Sequence, residues 1–219
     1  MRNTRWVYKD NSLKNNKDIQ TLNLDKDILN LLYNRNITEK EEIKNFLDVN
    51  IKNIADPFSL KDVDKAVKRL TQAKENNETV WVYGDYDVDG ITSVSLCYLA
   101  LSELGINVKY YIPLRDEGYG LNMEAIDHIK SEGGTLIITV DCGISSHKEI
   151  AHAASLGIDM IVTDHHEINN GNPEALAVIN PKREDNDYEF KYLAGVGTAF
   201  MMISAFFKTL GKEEEVYKY

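Results

Sequence analysis

Three short apolar runs in this chain each lead into an acidic cluster, and this restricts the fold more than any other feature. The runs are Val80-Trp81-Val82-Tyr83, Leu136-Ile137-Ile138-Thr139-Val140 and Met160-Ile161-Val162-Thr163. They lead into Gly84-Asp85-Tyr86-Asp87-Val88-Asp89-Gly90, into Asp141 and into Asp164-His165-His166. Continuous apolarity with β-branched and aromatic residues, rather than alternation, suits strands covered on both faces. If the strands are parallel, their carboxyl ends share one edge of the sheet, where open α/β sheets hold their ligands. Five or six carboxylates and two imidazoles then converge there. So many like charges repel unless a cation holds them, and mixed oxygen and imidazole donors suit Mn²⁺ or a related divalent ion.

The rest of the chain fits that frame. Strands are predicted over 79–84, 107–112, 135–140 and 159–163, with a short one at 177–179. Helices are predicted over 91–104, 122–132 and 146–156, and a buried one over 193–210 is entered through Gly195-Val196-Gly197. This alternation predicts an α/β fold: a doubly wound, mainly parallel sheet with right-handed crossovers. Upstream, Val63, Ala66, Val67, Leu70 and Ala73 recur at helical spacing within 61–76. Two short helices are expected over 25–34 and 38–48, the second with a capping box from Thr38 and Glu41. Residues 1–20 read as an irregular polar arm anchored by Trp6. The boundary is placed near residue 78, between a helical N-terminal region (1–77) and an α/β domain (78–219).

Bulk properties exclude little. The chain has 219 residues and a formal net charge of −10. An acidic balance alone argues against a non-specific nucleic-acid binder. About six of those acids belong to the expected metal cluster, however, where cations would offset them. No apolar stretch approaches the ~20 residues that span a bilayer, and the N-terminal sequence does not read as a signal peptide. Cys97 and Cys142 lack the spacing of a metal-binding pair, so a reducing, cytoplasmic setting is expected.

Within the first cluster, Asp85, Asp87 and Asp89 start on one side of an extended segment, where two could share a cation. The bland alternative is a surface Ca²⁺ loop, but Leu96 stands where an EF-hand needs its last Glu. Gly90 reads as the sharp turn into the next helix. Thr92 and Ser93 then fall in its first turn, whose free N–H groups favour a phosphate. Asp141 is either a bridge between two metals or an N-cap, although Ser145 and Ser146 are better placed to cap the helix that follows. In Asp164-His165-His166, adjacent imidazoles on irregular backbone point apart. One can bind metal and the other substrate, while Asp164 fixes a tautomer. His128, His147 and His152 read as surface or packing residues. Two cations about 4 Å apart would clamp both sides of a phosphodiester. Arg115, beyond the strand 107–112, either faces its non-bridging oxygens or pairs with Asp116 or Glu117. Tyr86 and Tyr119 could stack bases; Tyr110 and Tyr111 read as core and edge-strand residues.

Asp85-x-Asp87, Asp141 and Asp164-His165-His166, in that order, resemble the DHH phosphoesterase superfamily. Several further segments resemble its bacterial single-stranded-DNA exonuclease branch: Val82 to Ser93, Arg115 to Leu121, Asn180-Pro181-Lys182, Leu193 to Gly197, and upstream Asn34 to Ile37, Phe46-Leu47 and Asp56-Pro57-Phe58. The resemblance implies a 5′→3′ exonuclease on single-stranded DNA that uses Mn²⁺ or Mg²⁺ in recombination and repair; the alternatives are another phosphoesterase of the superfamily, acting on short oligonucleotides, cyclic dinucleotides or pyrophosphate, and a non-catalytic nucleic-acid-binding module. It implies metal ligation by Asp85, Asp87, Asp141 and His165, phosphate contacts from His166 and Arg115, and supporting roles for Asp89, Asp164 and Ser93. A single-strand-binding protein and a helicase are the partners it implies. Such enzymes carry one more metal-binding Asp in a later segment, and further domains. The sequence given ends at Tyr219, before that Asp, so a fragment with a weak second metal site and poor cleavage is expected.

Overall fold

The apolar runs form strands because each can be buried on both of its faces. The computed structural model describes Arg5 and residues 16–219; Trp6 and most of the expected arm lie outside the described residues. Strands β1 (Thr79–Gly84), β2 (Asn107–Tyr111), β3 (Gly134–Val140), β4 (Asp159–Thr163) and β5 (Ala177–Ile179) make one sheet in the order β2-β1-β3-β4-β5. Every pairing is parallel. This order puts the topological switch point between β1 and β3.

Successive side chains of a strand point to opposite faces, and here both faces are apolar. Val80, Val82, Leu136, Ile138, Val140 and Ile161 enter one core; Trp81, Tyr83, Ile137, Met160 and Val162 enter the other. The first core is closed by α4 (Val63–Glu75), α5 (Val88–Glu103) and α8 (Gly195–Thr209). The second is closed by α6 (Met123–Ser131) and α7 (His147–Ser155). Among the described residues, no helix is long and apolar enough to cross a membrane.

The chain divides into compact units at Ile54/Ala55 rather than near residue 78. The reason lies in α4: its stripe of Val63, Ala66, Val67, Leu70 and Ala73 is buried in the first sheet core, so the helix belongs with the α/β unit. The first unit has its own small core of Ile19, Leu29, Leu32 and Ile43. It contains α1 (Lys17–Gln20), within the segment expected to be irregular, then α2 (Lys26–Asn34) and α3 (Lys40–Leu47). The capping box of α3 is made by Glu39 and Glu42 instead of Thr38 and Glu41. Helix α5 begins at Val88, three residues earlier than expected, because Asp87 caps it: the Gly90 N–H donates to Asp87 Oδ1 over 3.0 Å.

Candidate metal centre

Each acidic cluster follows directly from the carboxyl end of a central strand. Asp85 comes one residue after β1, Asp141 after β3 and Asp164 after β4. Asp85, Asp141 and Asp164 are all within 2% of complete burial. Carboxylates so deeply placed need partners, and the three differ in whether they have them.

Asp164 is saturated. Its Oδ1 accepts from the His165 N–H (2.7 Å), the His166 N–H (3.1 Å) and His166 Nδ1 (2.7 Å), and its Oδ2 accepts from the Ile144 N–H (2.9 Å). Burial alone would raise its pKa, but these bonds outweigh burial and leave it lowered. Asp164 therefore holds backbone and ring in place, as expected of a group outside the ligand set.

Asp85 and Asp141 are not saturated. The Tyr86 N–H satisfies Asp85 Oδ1 at 2.7 Å, while Asp85 Oδ2 and Asp141 Oδ1 are buried without a hydrogen bond. His165 Nε2 lies 3.1 Å from that Asp141 oxygen without forming one. Burial, then repulsion from Asp89 and Asp87, pushes Asp141 up to about 7. Burial also raises Asp85, with Asp87 adding to the effect. Buried, unpartnered oxygens with raised pKa values are what a carboxylate cluster shows when a cation is its complement.

Among the described residues, two groups of donors have atoms within 4.8 Å of one another: Asp85, Asp87 and Asp141, and Asp141, His165 and His166. Asp141 belongs to both. The structure thus brings all four expected ligands, Asp85, Asp87, Asp141 and His165, to the edge of the sheet at and beside its switch point. The residues fit a pair of divalent cations. Asp141 adopts a left-handed backbone at φ +59°, which turns the chain sharply after β3 and which Asp tolerates better than most residues. It does not cap α7. Ser146 occupies that capping position, but its side chain makes no capping bond.

The two imidazoles are oriented differently. His165 Nδ1 lies 3.0 Å from the Leu193 carbonyl, so this nitrogen carries the proton and Nε2 faces Asp141. His166 Nδ1 is held by Asp164. Its Nε2 stands 3.4 Å from the Tyr119 hydroxyl, and the Asp164 hydrogen bond raises the pKa of the ring despite partial burial. Arg115 makes no ion pair among the described residues; its guanidinium lies over the Tyr86 ring, 5.4 Å from the centroid. Tyr86 packs edge-on against Tyr119, and Tyr119 against His166. An aromatic row therefore links Arg115 to the centre.

Two expectations are corrected. Ser93 and Thr92 do not lie in the first turn of α5, because that helix starts at Val88; their hydroxyls donate to the Asp89 and Val88 carbonyls four residues back, at 2.6 and 2.8 Å. Gly90 makes no left-handed turn. It is small because a Cβ there would fall 2.4 Å from the Asp85 carbonyl oxygen. Asp89, expected in a supporting role, stays outside the open donors: its two oxygens accept from the Gly195 and Val196 N–H groups at 2.7 and 2.8 Å. One supporting residue was missed from the sequence altogether: Asn180 is fully buried, and its amide donates to the His166 carbonyl over 3.0 Å. Its type, an amide directly after a strand, was the available signal.

A sequence profile described as "DHH family, N-terminal domain" matches residues 79–218. The single-stranded-DNA-specific exonuclease RecJ of Bacillus subtilis is 41% identical over 187 residues, covering 85% of this chain and 24% of the relative. That of Escherichia coli K12 is 44% identical over 161 residues, covering 73% and 28%. A crystal structure of exonuclease RecJ bound to manganese superimposes with a TM-score of 0.64 at 37% identity, over 69% of this chain and 39% of that one. RecJ in complex with Mn²⁺ from Thermus thermophilus gives 0.65 at 30% identity, over 82% and 24%. The sequence given spans about a quarter of the length of these curated relatives.

Proposed function

The chain belongs to the DHH family, and from that premise we propose that it is the catalytic part of a metal-dependent exonuclease that degrades single-stranded DNA from its 5′ end. The observation that carries this reading is Asp141, a residue common to two groups of metal-binding donors, whose Oδ1 is buried without a hydrogen bond. Support also comes from relatives named as single-stranded-DNA-specific exonucleases.

On this reading Asp85, Asp87, Asp141 and His165 would hold Mn²⁺ or Mg²⁺. When bound, the ions supply an activated water and charge neutralisation at the phosphodiester. The chain's own groups do the remaining work. His165 presents Nε2 because its Nδ1 proton is committed to the Leu193 carbonyl. His166 turns Nε2 toward the Tyr119 hydroxyl because Asp164 holds Nδ1, and a phosphate oxygen would take the place of that long contact. Arg115, placed over the Tyr86 ring, offers a guanidinium to the non-bridging oxygens, a task that suits its planar donor fork. Tyr119, 58% exposed beside His166, offers a face for a base. Asp89, Asp164 and Ser93 support the ligands from behind. The setting proposed is cytoplasmic DNA recombination and repair, with a single-strand-binding protein and a helicase as partners.

The test is Mn²⁺-dependent release of mononucleotides from a long single strand labelled at either end. Early release of the 5′ label, abolished by chelator, is expected. Early release of the 3′ label would overturn the polarity. Release only from dinucleotides or pyrophosphate would reassign the substrate.

A further inference from the structure

The segment Leu193-Ala194-Gly195-Val196 reaches the metal centre as main chain and touches all three acidic clusters. The Leu193 carbonyl lies 3.0 Å from His165 Nδ1. The Gly195 and Val196 N–H groups donate to both oxygens of Asp89. Gly195 lies so close to Asp141 that a Cβ would fall 2.4 Å from Oδ1 and 2.6 Å from the Asp141 Cβ. Helix α8 opens at this point, and Ala194 in its capping position has no side chain that could satisfy the first N–H groups. Asp89 does so from 106 positions away in the sequence.

We propose that this turn and Asp89 form a positioning clamp for the metal ligands, in which Asp89 is withheld from the cations and spends its charge on the start of α8. The inference rests on reading the cluster as a metal centre. Three consequences of the geometry support the clamp. Asp89 Oδ2 is 3.7 Å from His165 Nε2, close enough to compete for a cation if it were released. Both its oxygens are instead engaged by backbone donors that also carry the positive end of the α8 dipole. The same turn fixes the proton of His165 through Leu193 and sets the near wall of Asp141 through Gly195. One piece of main chain therefore controls the direction of two ligands, His165 and Asp141, and the retention of a second carboxylate, Asp89. Groups that orient metal ligands in this way typically change affinity by about 10–100-fold when altered.

Manganese binding by the whole chain decides the matter. Titration calorimetry with Mn²⁺ is run on the unaltered protein and on Asp89→Asn, Gly195→Ala and Gly197→Ala, each with its thermal unfolding recorded in chelator. Asp89→Asn replaces one acceptor with a donor facing an N–H. Gly195→Ala drives a methyl into Asp141. Gly197→Ala meets only the Leu193 side chain, at 3.4 Å, and controls for a methyl on the same helix. The clamp predicts roughly 10–100-fold weaker Mn²⁺ binding for the first two, measured at a temperature where each is fully folded in chelator, and unchanged binding for Gly197→Ala. If Gly195→Ala does not fold, Asp89→Asn alone decides. A cap that served folding only would lower the midpoint and leave affinity intact, and that result overturns the proposal; so does loss of folding in both variants. Absence of Mn²⁺ binding in the unaltered protein would overturn the metal reading itself.

Discussion

His166 Nδ1 and Asp164 Oδ1 stand 2.7 Å apart, and that oxygen also receives the N–H groups of His165 and His166. One carboxylate thus sets both the ring and the backbone of the histidine pair. Asp164→Asn would present an amide donor where at least one buried N–H needs an acceptor. An unmet buried donor costs about 1–3 kcal/mol, and misdirected imidazoles cost about 10–100-fold in metal affinity or rate. Chemical denaturation and initial rates of label release should both register the change, with the rate loss persisting at temperatures where the variant is fully folded.

The metal-free protein should be less stable at pH 8 than at pH 5.5. Asp141 has its pKa raised from 3.8 to about 7, so the folded state binds its proton more tightly than the unfolded state and loses stability as pH rises across that window. Asp85, also raised, acts in the same direction. The raised pKa of His166 adds stability below its unfolded value that is lost as pH rises through the folded one. Adding Mn²⁺ should reverse the trend, because the cation binds the ionised carboxylates and releases protons. Unfolding midpoints in chelator and in Mn²⁺ at the two pH values check this; a chelator midpoint that rises with pH contradicts it.

Arg115→Ala should raise the KM for single-stranded DNA by roughly tenfold or more, and Arg115→Lys should recover little. The guanidinium over Tyr86 combines stacking with a planar donor fork, and an ammonium supplies neither. Tyr86→Leu should share part of the defect, since it removes the platform. Steady-state kinetics of the three variants gives the comparison.

The opposite edge of the sheet carries stability without chemistry. Arg69 of α4 donates to Asp159 at the start of β4 and to Glu78 just before β1, both over 2.6 Å. The Arg69 hydrogen bond, with those from Thr135 and Asn76, outweighs burial and holds Glu78 down at about 2. The stability this gives is present above the unfolded value of 4.5 and lost as pH falls toward 2. Arg69→Met should destabilise the fold by about 1–3 kcal/mol, less than for a fully buried pair because Asp159 is half-exposed. Below its own melting point the variant should release label at the unaltered rate. Denaturation curves with activity assays would separate the two effects.

What could be read from the sequence, and what could not, divides along a physical line. β1, β4 and β5 coincide with their expected spans, because a continuous apolar run with a sharp polar end is a local signal. Asp85, Asp141 and the Asp164-His165-His166 run were legible for the same reason: each interrupts such a run. Ser93 was misplaced because the start of α5 depends on whether Asp87 caps, a contest between neighbouring acids that propensity does not decide. The service of Asp89 to α8, the grip of Leu193 on His165 and the support of His166 by Asn180 were invisible. Each joins residues distant in sequence, and in each the decisive group on one side is a backbone atom that no residue type announces.

Asp141 answers two unrelated demands with one residue. Its left-handed backbone is open at low cost to Gly, Asn and Asp alone, while its place among the donors requires an acid. Glu would keep the charge and strain the turn; Asn would keep the turn and lose the charge. Neutral drift is therefore closed at this position as long as the chemistry is under selection. A descendant that abandoned metal binding could pass to Asn or Gly here and keep the whole sheet. The residue at this position is thus the place to tell a retired copy of the protein from a working one.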